Sequence, residues 1–365
     1  MSMGAMPRAD AGCFDVAAVF RGTWAMLKTI PDEVNFLDCT LRDGGYYTNW
    51  DFAPELVSDY IATINTLPVR MIELGLVGKP ESHGYFASVT SSKAEQVAAG
   101  LVVDACVMID AKDVLASELP IALAVTRLTE GLEPGHITTV RVAAHYSNLA
   151  ACRNIFGELS HTGFRVFVNL MQIDAANAAE VEMCLKEVTR VDTIDVLYIA
   201  DSFGSMKPTR VQELIGRFAG RIEPDIGFHG HDNRGYALVN SVAAAMAGAT
   251  WIDCTMGGMG RGAGNTASEQ LLPLLTHLEA SKERALLEHV LRHFDPLRKR
   301  YGWGSSAAYQ YAGSNFIHPS YVQKLREGGP LSDAAIIRRL ADLPADERIS
   351  FANDKLSALM AQDTA

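Results

Sequence analysis

The sequence predicts an α/β protein: a (β/α)8 TIM barrel with a C-terminal α-helical extension. Three observations predict it. From residue 34 onward, eight short apolar runs alternate with amphipathic helical stretches, at intervals of roughly thirty residues. The runs are rich in β-branched and other apolar residues, as expected of strands buried on both faces of a parallel sheet. Polar residues also gather at the C-terminal ends of successive runs, where such barrels keep their functional groups. A doubly wound open sheet is the structural alternative, and the count of eight favours the barrel.

The runs cover residues 34–39, 69–75, 102–109, 138–144, 164–171, 193–200, 225–229 and 250–255. Helical patterns between them cover 54–65, 92–99, 111–128, 147–160, 175–191, 209–219 and 235–247, the first opening on a proline at a tolerated first-turn position. After the first run come Arg42 and Asp43; the second reaches Glu73 and the fourth ends near His145. The sixth ends in Asp201-Ser202, the seventh delivers His229 and His231, and the eighth leads into the glycine-rich stretch from Gly257 to Asn265. Beyond about residue 280 the alternation stops. Helical patterns at 286–301, 334–343 and 350–361 flank a segment, 302–321, rich in aromatic and small residues. The expected organisation is an N-terminal helical extension (1–33), a catalytic barrel (34–280) and a mainly helical C-terminal region (281–365). Within the first of these, 14–27 reads as a short amphipathic helix. The aromatics of 303–321 are expected to pack the tail on the barrel.

The 365 residues carry a formal charge of −11 and no basic stripe, which argues against a nucleic-acid partner. No apolar run approaches the roughly 20 residues needed to cross a membrane. Six cysteines are scattered without a C-x-x-C pair, and no secretory signal is evident. Buried thiols in a reducing cytoplasm are therefore expected rather than disulfides.

His229-Gly230-His231 carries the sharpest chemistry. In an extended strand alternate side chains share a face, so both imidazoles point the same way. A carboxylate joining them completes a divalent-metal site, and Asp43 is the candidate because it too follows an apolar run. The glycine-rich stretch either cradles a phosphate or forms a tight turn that brings Asn265 to the metal; the turn is favoured.

Three segments resemble one family. The run Leu37-Asp38-Cys39-Thr40-Leu41-Arg42-Asp43-Gly44-Gly45 is similar to the opening motif of the DRE-TIM metallolyases, the HMGL-like superfamily. His229 through Ala237, followed by Asn240, resembles its second signature, and Gly257 through Asn265 its third. The resemblance spans roughly residues 34–280, and the stretches Ala200–Met206 and Arg141–His145 look closest to the 4-hydroxy-2-oxovalerate aldolase-like branch. It implies that Asp43, His229 and His231 hold one divalent cation, with Asn265 as a fourth ligand. Manganese or magnesium suits the oxygen and imidazole donors, with zinc an alternative. It implies further that a 2-oxoacid is the substrate and that a metal-stabilised enolate forms when its carbon–carbon bond breaks. Arg42 stands as a fixed cation beside that oxyanion, and Glu73, Asp201 and Ser202 as substrate-binding residues.

In those aldolases a histidine three residues after the aspartate is the general base, whereas this chain has Tyr46. An ordinary phenol, with a pKa of about 10, is a poor base at neutral pH. Tyr46, a water, His145 or Tyr311 is expected to carry the proton instead. The segment 77–90, with Lys79, His83 and Tyr85, is expected to overlie the barrel mouth and select the acceptor. The expected function is a metal-dependent aldolase that cleaves a 4-hydroxy-2-oxoacid or condenses pyruvate with an aldehyde. The alternatives are a Claisen-type acyltransferase joining an acyl-CoA to a 2-oxoacid and a non-catalytic barrel. The resemblance also implies a homodimer and allows a partner dehydrogenase.

Overall fold

The computed structural model describes residues 34–79, 83–98, 100–329 and 331–361. The expected N-terminal extension, with its helix at 14–27, and Cys13 lie outside those residues. Eight parallel strands close on themselves in sequence order: β1 (Asn35–Asp38), β2 (Met71–Leu76), β3 (Asp104–Asp110), β4 (Ile137–His145), β5 (Arg165–Met171), β6 (Val196–Asp201), β7 (Asp225–Gly230) and β8 (Trp251–Cys254). Closure is made by β1 against β8, with Asn35 opposite Trp251 and Asp38 opposite Cys254. β2 and β6 are buried along their whole length, which explains why they are apolar apart from Glu73 and Asp201. The barrel interior is filled, not open: Leu37, Met71, Cys106, Phe167, Tyr198 and Trp251 form one buried cluster.

The structure departs from the sequence reading in three places, each with a local cause. The residues after the first strand form a helix, Thr40–Thr48, that is not among the expected ones. Asp38 fixes its start by accepting hydrogen bonds from the Thr40 backbone (2.9 Å), Tyr60 Oη (2.8 Å) and Ser268 Oγ (2.9 Å). Its glycine pair serves close packing, since a Cβ on Gly45 would collide with the Trp50 indole. The single helix expected over 111–128 is two, Ala111–Leu115 and Ile121–Leu128, broken at Pro120. The helix expected over 286–301 runs from Ala280 through a π-helical turn, Val290–Phe294, into Asp295–Tyr301. Pro296, which has no N–H to donate, sits immediately after that widened turn.

The C-terminal helices have a core of their own, in which Tyr309, Ile317, Tyr321, Leu325, Ile336 and Leu340 are buried together. They are tied to the mouth of the barrel. Tyr47 Oη donates to the Gly262 carbonyl and lies 3.1 Å from Tyr309 Oη, and Gln323 Nε2 donates to the Tyr46 carbonyl (3.0 Å). Trp303 Nε1 donates to the Gly257 carbonyl (3.1 Å). The five described cysteines are buried and free. Among the described residues no helix is long and apolar enough to cross a membrane.

Candidate metal centre

Three segments distant in sequence meet at the C-terminal end of the barrel. Asp43 lies early in the Thr40–Thr48 helix, His229 near the end of β7 and His231 just beyond it. One ligand atom from each lies within 4.8 Å of the others, and all three side chains are buried. The imidazole rings are 5.0 Å apart and nearly perpendicular, at 85°. Both can present Nε2 inward, because each Nδ1 has an acceptor. His229 Nδ1 donates to Asp253 Oδ2 (2.7 Å) and His231 Nδ1 to the Gly264 carbonyl (3.3 Å). Asp43 Oδ1 accepts from Arg42 Nη1 (2.8 Å), while its buried Oδ2 accepts nothing and lies 3.4 Å from His229 Nε2. A buried carboxylate oxygen without a donor, facing an imidazole lone pair, is what a cation site looks like before its ion is counted.

Asn265 joins the same cluster, with its Nδ2 3.2 Å from His229 Nε2. A half-turn of the amide exchanges that nitrogen for Oδ1, a potential ligand. The approach requires a glycine opposite, because a Cβ on Gly260 would lie 1.6 Å from Asn265 Oδ1. A second group, Cys39, His229 and Asp253, also meets the spacing for a metal. Its chemistry is wrong: His229 Nδ1 is already bonded to Asp253, and burial pushes the Cys39 thiol well up, away from the thiolate a metal needs.

Burial opposes the charge on Asp43, but Arg42, His229 and His231 hold its carboxyl well below the usual range. Burial holds His231 down, to about 3, so its imidazole is neutral at pH 7. For His229 burial acts the same way, but the hydrogen bond to Asp253 and the nearby carboxylate of Asp43 outweigh it and raise its pKa.

Beneath the ligands runs a buried ionic ladder. Arg42 Nε donates to Glu73 Oε2 (2.7 Å), which also faces Arg141 Nη1 (3.4 Å). Arg141 Nη2 reaches Asp253 Oδ2 (2.6 Å), and its guanidinium stacks 3.9 Å over the Tyr198 ring. Two guanidiniums thus face three carboxylates, those of Asp43, Glu73 and Asp253, and a divalent cation would reverse that excess of negative charge. Asp253→Asn removes the carboxylate that orients His229, so divalent-metal affinity should fall about 10- to 100-fold. Calorimetric titration with Mn2+ checks this; an unchanged affinity would remove Asp253 from the account.

The other expected site residues are placed as follows. Glu73 bridges the two arginines at the centre of the ladder. Ser202 is buried, and its Oγ accepts from the Gln172 backbone (2.8 Å). Half-buried His145 at the end of β4 has both ring nitrogens bonded, Nδ1 to Ser147 Oγ (2.8 Å) and Nε2 to Gln172 Oε1 (2.9 Å). Tyr46 sits on the helix that carries Arg42 and Asp43, its ring edge-on to Trp50 at 4.8 Å. Tyr311 lies half-buried on the Ala307–Ser314 helix against the C-terminal core. In the segment expected over the mouth, Lys79 pairs with Asp113 (2.8 Å) and the His83 ring lies 5.7 Å from Trp50.

Asp201 is fully buried, and its carboxylate caps the following loop, accepting from the backbones of Ser205 (2.8 Å) and Met206 (3.2 Å). Its neighbour Asp174 accepts from Ser205 Oγ (2.9 Å) and the Phe203 backbone (3.2 Å). Burial first, and then the other carboxyl, raises Asp201 well above the usual range, and burial pushes Asp174 up to about 6. A carboxyl whose folded pKa is raised binds its proton more tightly folded than unfolded, so wild-type stability falls as pH rises from about 4 through 6. Asp174→Asn removes that cost, and its amide can donate to Asp201. The variant should therefore gain on the order of 1–3 kcal/mol over wild type at pH 8, and much less at pH 5. Equal melting-temperature differences at the two pH values would contradict it.

Sequence reasoning missed Asp253, Arg141 as a link in the ladder, and Asp174. A signal existed for the first two. Each is a charge inside an otherwise apolar strand, and a charge there is costly unless paired.

A family model described as HMGL-like matches residues 33–290. The chain belongs to the HMGL-like family. One HMGL-like relative is the 4-hydroxy-2-oxovalerate aldolase of Pelotomaculum thermopropionicum, 30% identical over 247 residues, 67% of this chain and 70% of its own. Another, 4-hydroxy-2-oxovalerate aldolase 2 of Rhodococcus jostii, is 28% identical over 317 residues, 82% of this chain and 88% of its own. Among solved structures, the N-terminal domain of a candidate aldolase from Bacteroides vulgatus superposes with a TM-score of 0.72 at 32% identity, covering 84% of this chain and 99% of that one. The carboxyl transferase domain of Rhizobium etli pyruvate carboxylase shares the fold, with a TM-score of 0.64 at 15% identity over 94% of this chain and 62% of that one.

Proposed function

We propose that this HMGL-like chain is a divalent-metal-dependent aldolase that cleaves a 4-hydroxy-2-oxoacid to pyruvate and an aldehyde, or runs the reverse condensation. The observation that carries it is the pairing of two buried, unpartnered groups. Asp43 Oδ2 accepts nothing, and beside it Arg42 Nη2 donates to nothing. The first calls for a cation and the second for an anion, and a 2-oxoacid at a metal supplies both. The aldolase activity for which the relatives are named supports the same reading.

Asp43, His229 and His231 would hold the cation, with Asn265 alongside; manganese or magnesium suits these donors, and zinc is the alternative. When bound, such an ion supplies Lewis-acid charge against the 2-oxoacid's oxygens. In the cleavage direction the 4-hydroxyl loses its proton and the C3–C4 bond breaks. The aldehyde departs, and the electron pair stays on the pyruvate half as an enolate, which then takes a proton at C3. Arg42, fixed by Glu73 and Asp43, holds a permanent positive charge against that oxyanion. Tyr46 is the assigned proton carrier. It lies three residues from Asp43 and four from Arg42 on one helix, so the three share a face. His145, with both ring nitrogens bonded, and Tyr311, on a C-terminal helix, are placed less directly.

Free buried cysteines support a reducing cytoplasm. A homodimer and a dehydrogenase that takes up the aldehyde belong to the proposal on the strength of the family resemblance alone. The test is to supply metal with 4-hydroxy-2-oxoacids and measure pyruvate release, then acyl-CoA with 2-oxoacids and measure free thiol. Pyruvate without thiol is expected; thiol without pyruvate would make the chain a Claisen-type acyltransferase.

A further inference from the structure

At the mouth of the barrel two donors, Arg261 and the Ser320 backbone N–H, are aimed at one imidazole, that of His318. Arg261, in the glycine-rich loop after β8, points its Nη1 at His318 Nε2, 3.3 Å away. The other ring nitrogen of His318, Nδ1, accepts the Ser320 backbone N–H at 3.3 Å. A neutral imidazole has one N–H and one lone pair. With the lone pair given to Ser320, Nε2 carries the proton, and two N–H groups then face each other. Moving the proton to Nδ1 only transfers the conflict to Ser320. Burial holds His318 neutral, keeping its pKa well below the ordinary value, and Arg261, His231 and Lys112 press the same way. Among the described residues no carboxylate forms an ion pair with Arg261, and its Nε is buried without a partner. The pair is held rigidly, because Gly262 packs so closely on Pro319 that a Cβ there would lie 2.7 Å from the proline ring.

Two contacts place this pair over the reaction site. The Arg261 guanidinium lies 5.7 Å above the Tyr46 ring, and Tyr46 is one helical turn from Asp43. His231, a proposed metal ligand, feels the charge of Arg261. Arg42 is assigned to the oxyanion of the pyruvate half, so an anion held beside Arg261 and His318 belongs to the other half of the substrate. Resting on the aldolase reading above, we infer that Arg261 and His318 form a subsite for a terminal anionic group, carboxylate or phosphate, on the acceptor half, so that the substrate is a 4-hydroxy-2-oxoacid with a second negative charge. Guanidinium recognises both anions through paired N–H donors, and the imidazole N–H adds a third.

The test is condensation of pyruvate, with Mn2+, onto three acceptors: glyoxylate (carboxylate), glyceraldehyde 3-phosphate (phosphate) and propionaldehyde (neutral). Intrinsic reactivities differ, so the readout is how the ratio of kcat/KM, charged over neutral, changes between wild type and variant. Arg261→Gln should lower that ratio about 30-fold or more for at least one charged acceptor, mainly through KM, by loss of a charge-assisted hydrogen bond. The acceptor whose ratio collapses identifies carboxylate or phosphate. Arg261→Lys should restore part of the ratio, and His318→Ala should lower it independently. The charged acceptor's KM should also rise with salt in wild type and lose that dependence in Arg261→Gln. A ratio that stays within about 3-fold in both Arg261→Gln and His318→Ala would overturn the inference, because a merely structural role moves all acceptors together. Deuterium exchange into the methyl group of pyruvate needs no acceptor and separates the two readings. Exchange with unchanged ratios defeats the subsite alone, whereas no exchange defeats the aldolase reading and the subsite with it.

Discussion

Asp43→Ala will leave a folded barrel that no longer holds a divalent cation. The substitution takes away the only carboxylate among the proposed ligands and leaves two imidazoles and an amide. Removing a group that merely orients a ligand costs about 10- to 100-fold in affinity, so loss of the ligand itself should exceed about 100-fold. Pyruvate-forming turnover should fall by more than about 1,000-fold, because the Lewis-acid charge goes with the ion. The fold should survive. Asp43 lies at the mouth, and the start of its helix is fixed by Asp38, which bonds Thr40, Tyr60 and Ser268. Mn2+ titration, circular dichroism and a pyruvate assay on one preparation check all three statements. Wild-type affinity in that variant would remove Asp43 from the site.

Arg42→Ala separates metal binding from catalysis. Arg42 touches Asp43 through Nη1 and Glu73 through Nε, so its loss loosens one ligand without deleting it. Metal affinity should stay within about tenfold of wild type, while kcat falls about 100- to 1,000-fold, the usual cost of removing a donor aimed at a developing oxyanion. Arg42→Lys should recover little. An ammonium is one point charge and cannot reach Asp43, Glu73 and a substrate oxygen from three fixed directions. Steady-state kinetics with saturating Mn2+, beside a metal titration, measures both quantities. Parallel loss of metal and turnover would show Arg42 to be only a prop for Asp43.

Much of this could be read from the chain because barrels impose a strict grammar. A strand buried on both faces is mostly apolar, so the eight runs stood out and chemistry could be sought where they ended; Glu73, Arg141 and Asp253 lie within strands because they pair with one another. His229 and His231 were legible for the same reason, since a two-residue period leaves no choice of face. What was not legible is what depends on packing across the chain. Gly44-Gly45 reads as a turn until Trp50 is seen filling the space a side chain would take. The helix it hides is what puts Tyr46 on one face with Arg42 and Asp43. Asp174 gave no hint of pairing with Asp201, 27 residues away, because the contact joins the short turn after β5 to the last residue of β6. Arg261 and His318 are further apart still, and their conflict of donors exists only once the C-terminal helices close on the mouth.

One measurement bears most directly on the central claim that Asp43, His229 and His231 grip a cation that lets pyruvate lose a methyl proton. The protein is incubated with pyruvate in deuterated water, with Mn2+ or with a chelator, and the methyl resonance is followed. The account predicts exchange with Mn2+, none with chelator, and none from Asp43→Ala under either condition. Exchange that continues at the wild-type rate in Asp43→Ala, or in the presence of chelator, would contradict it.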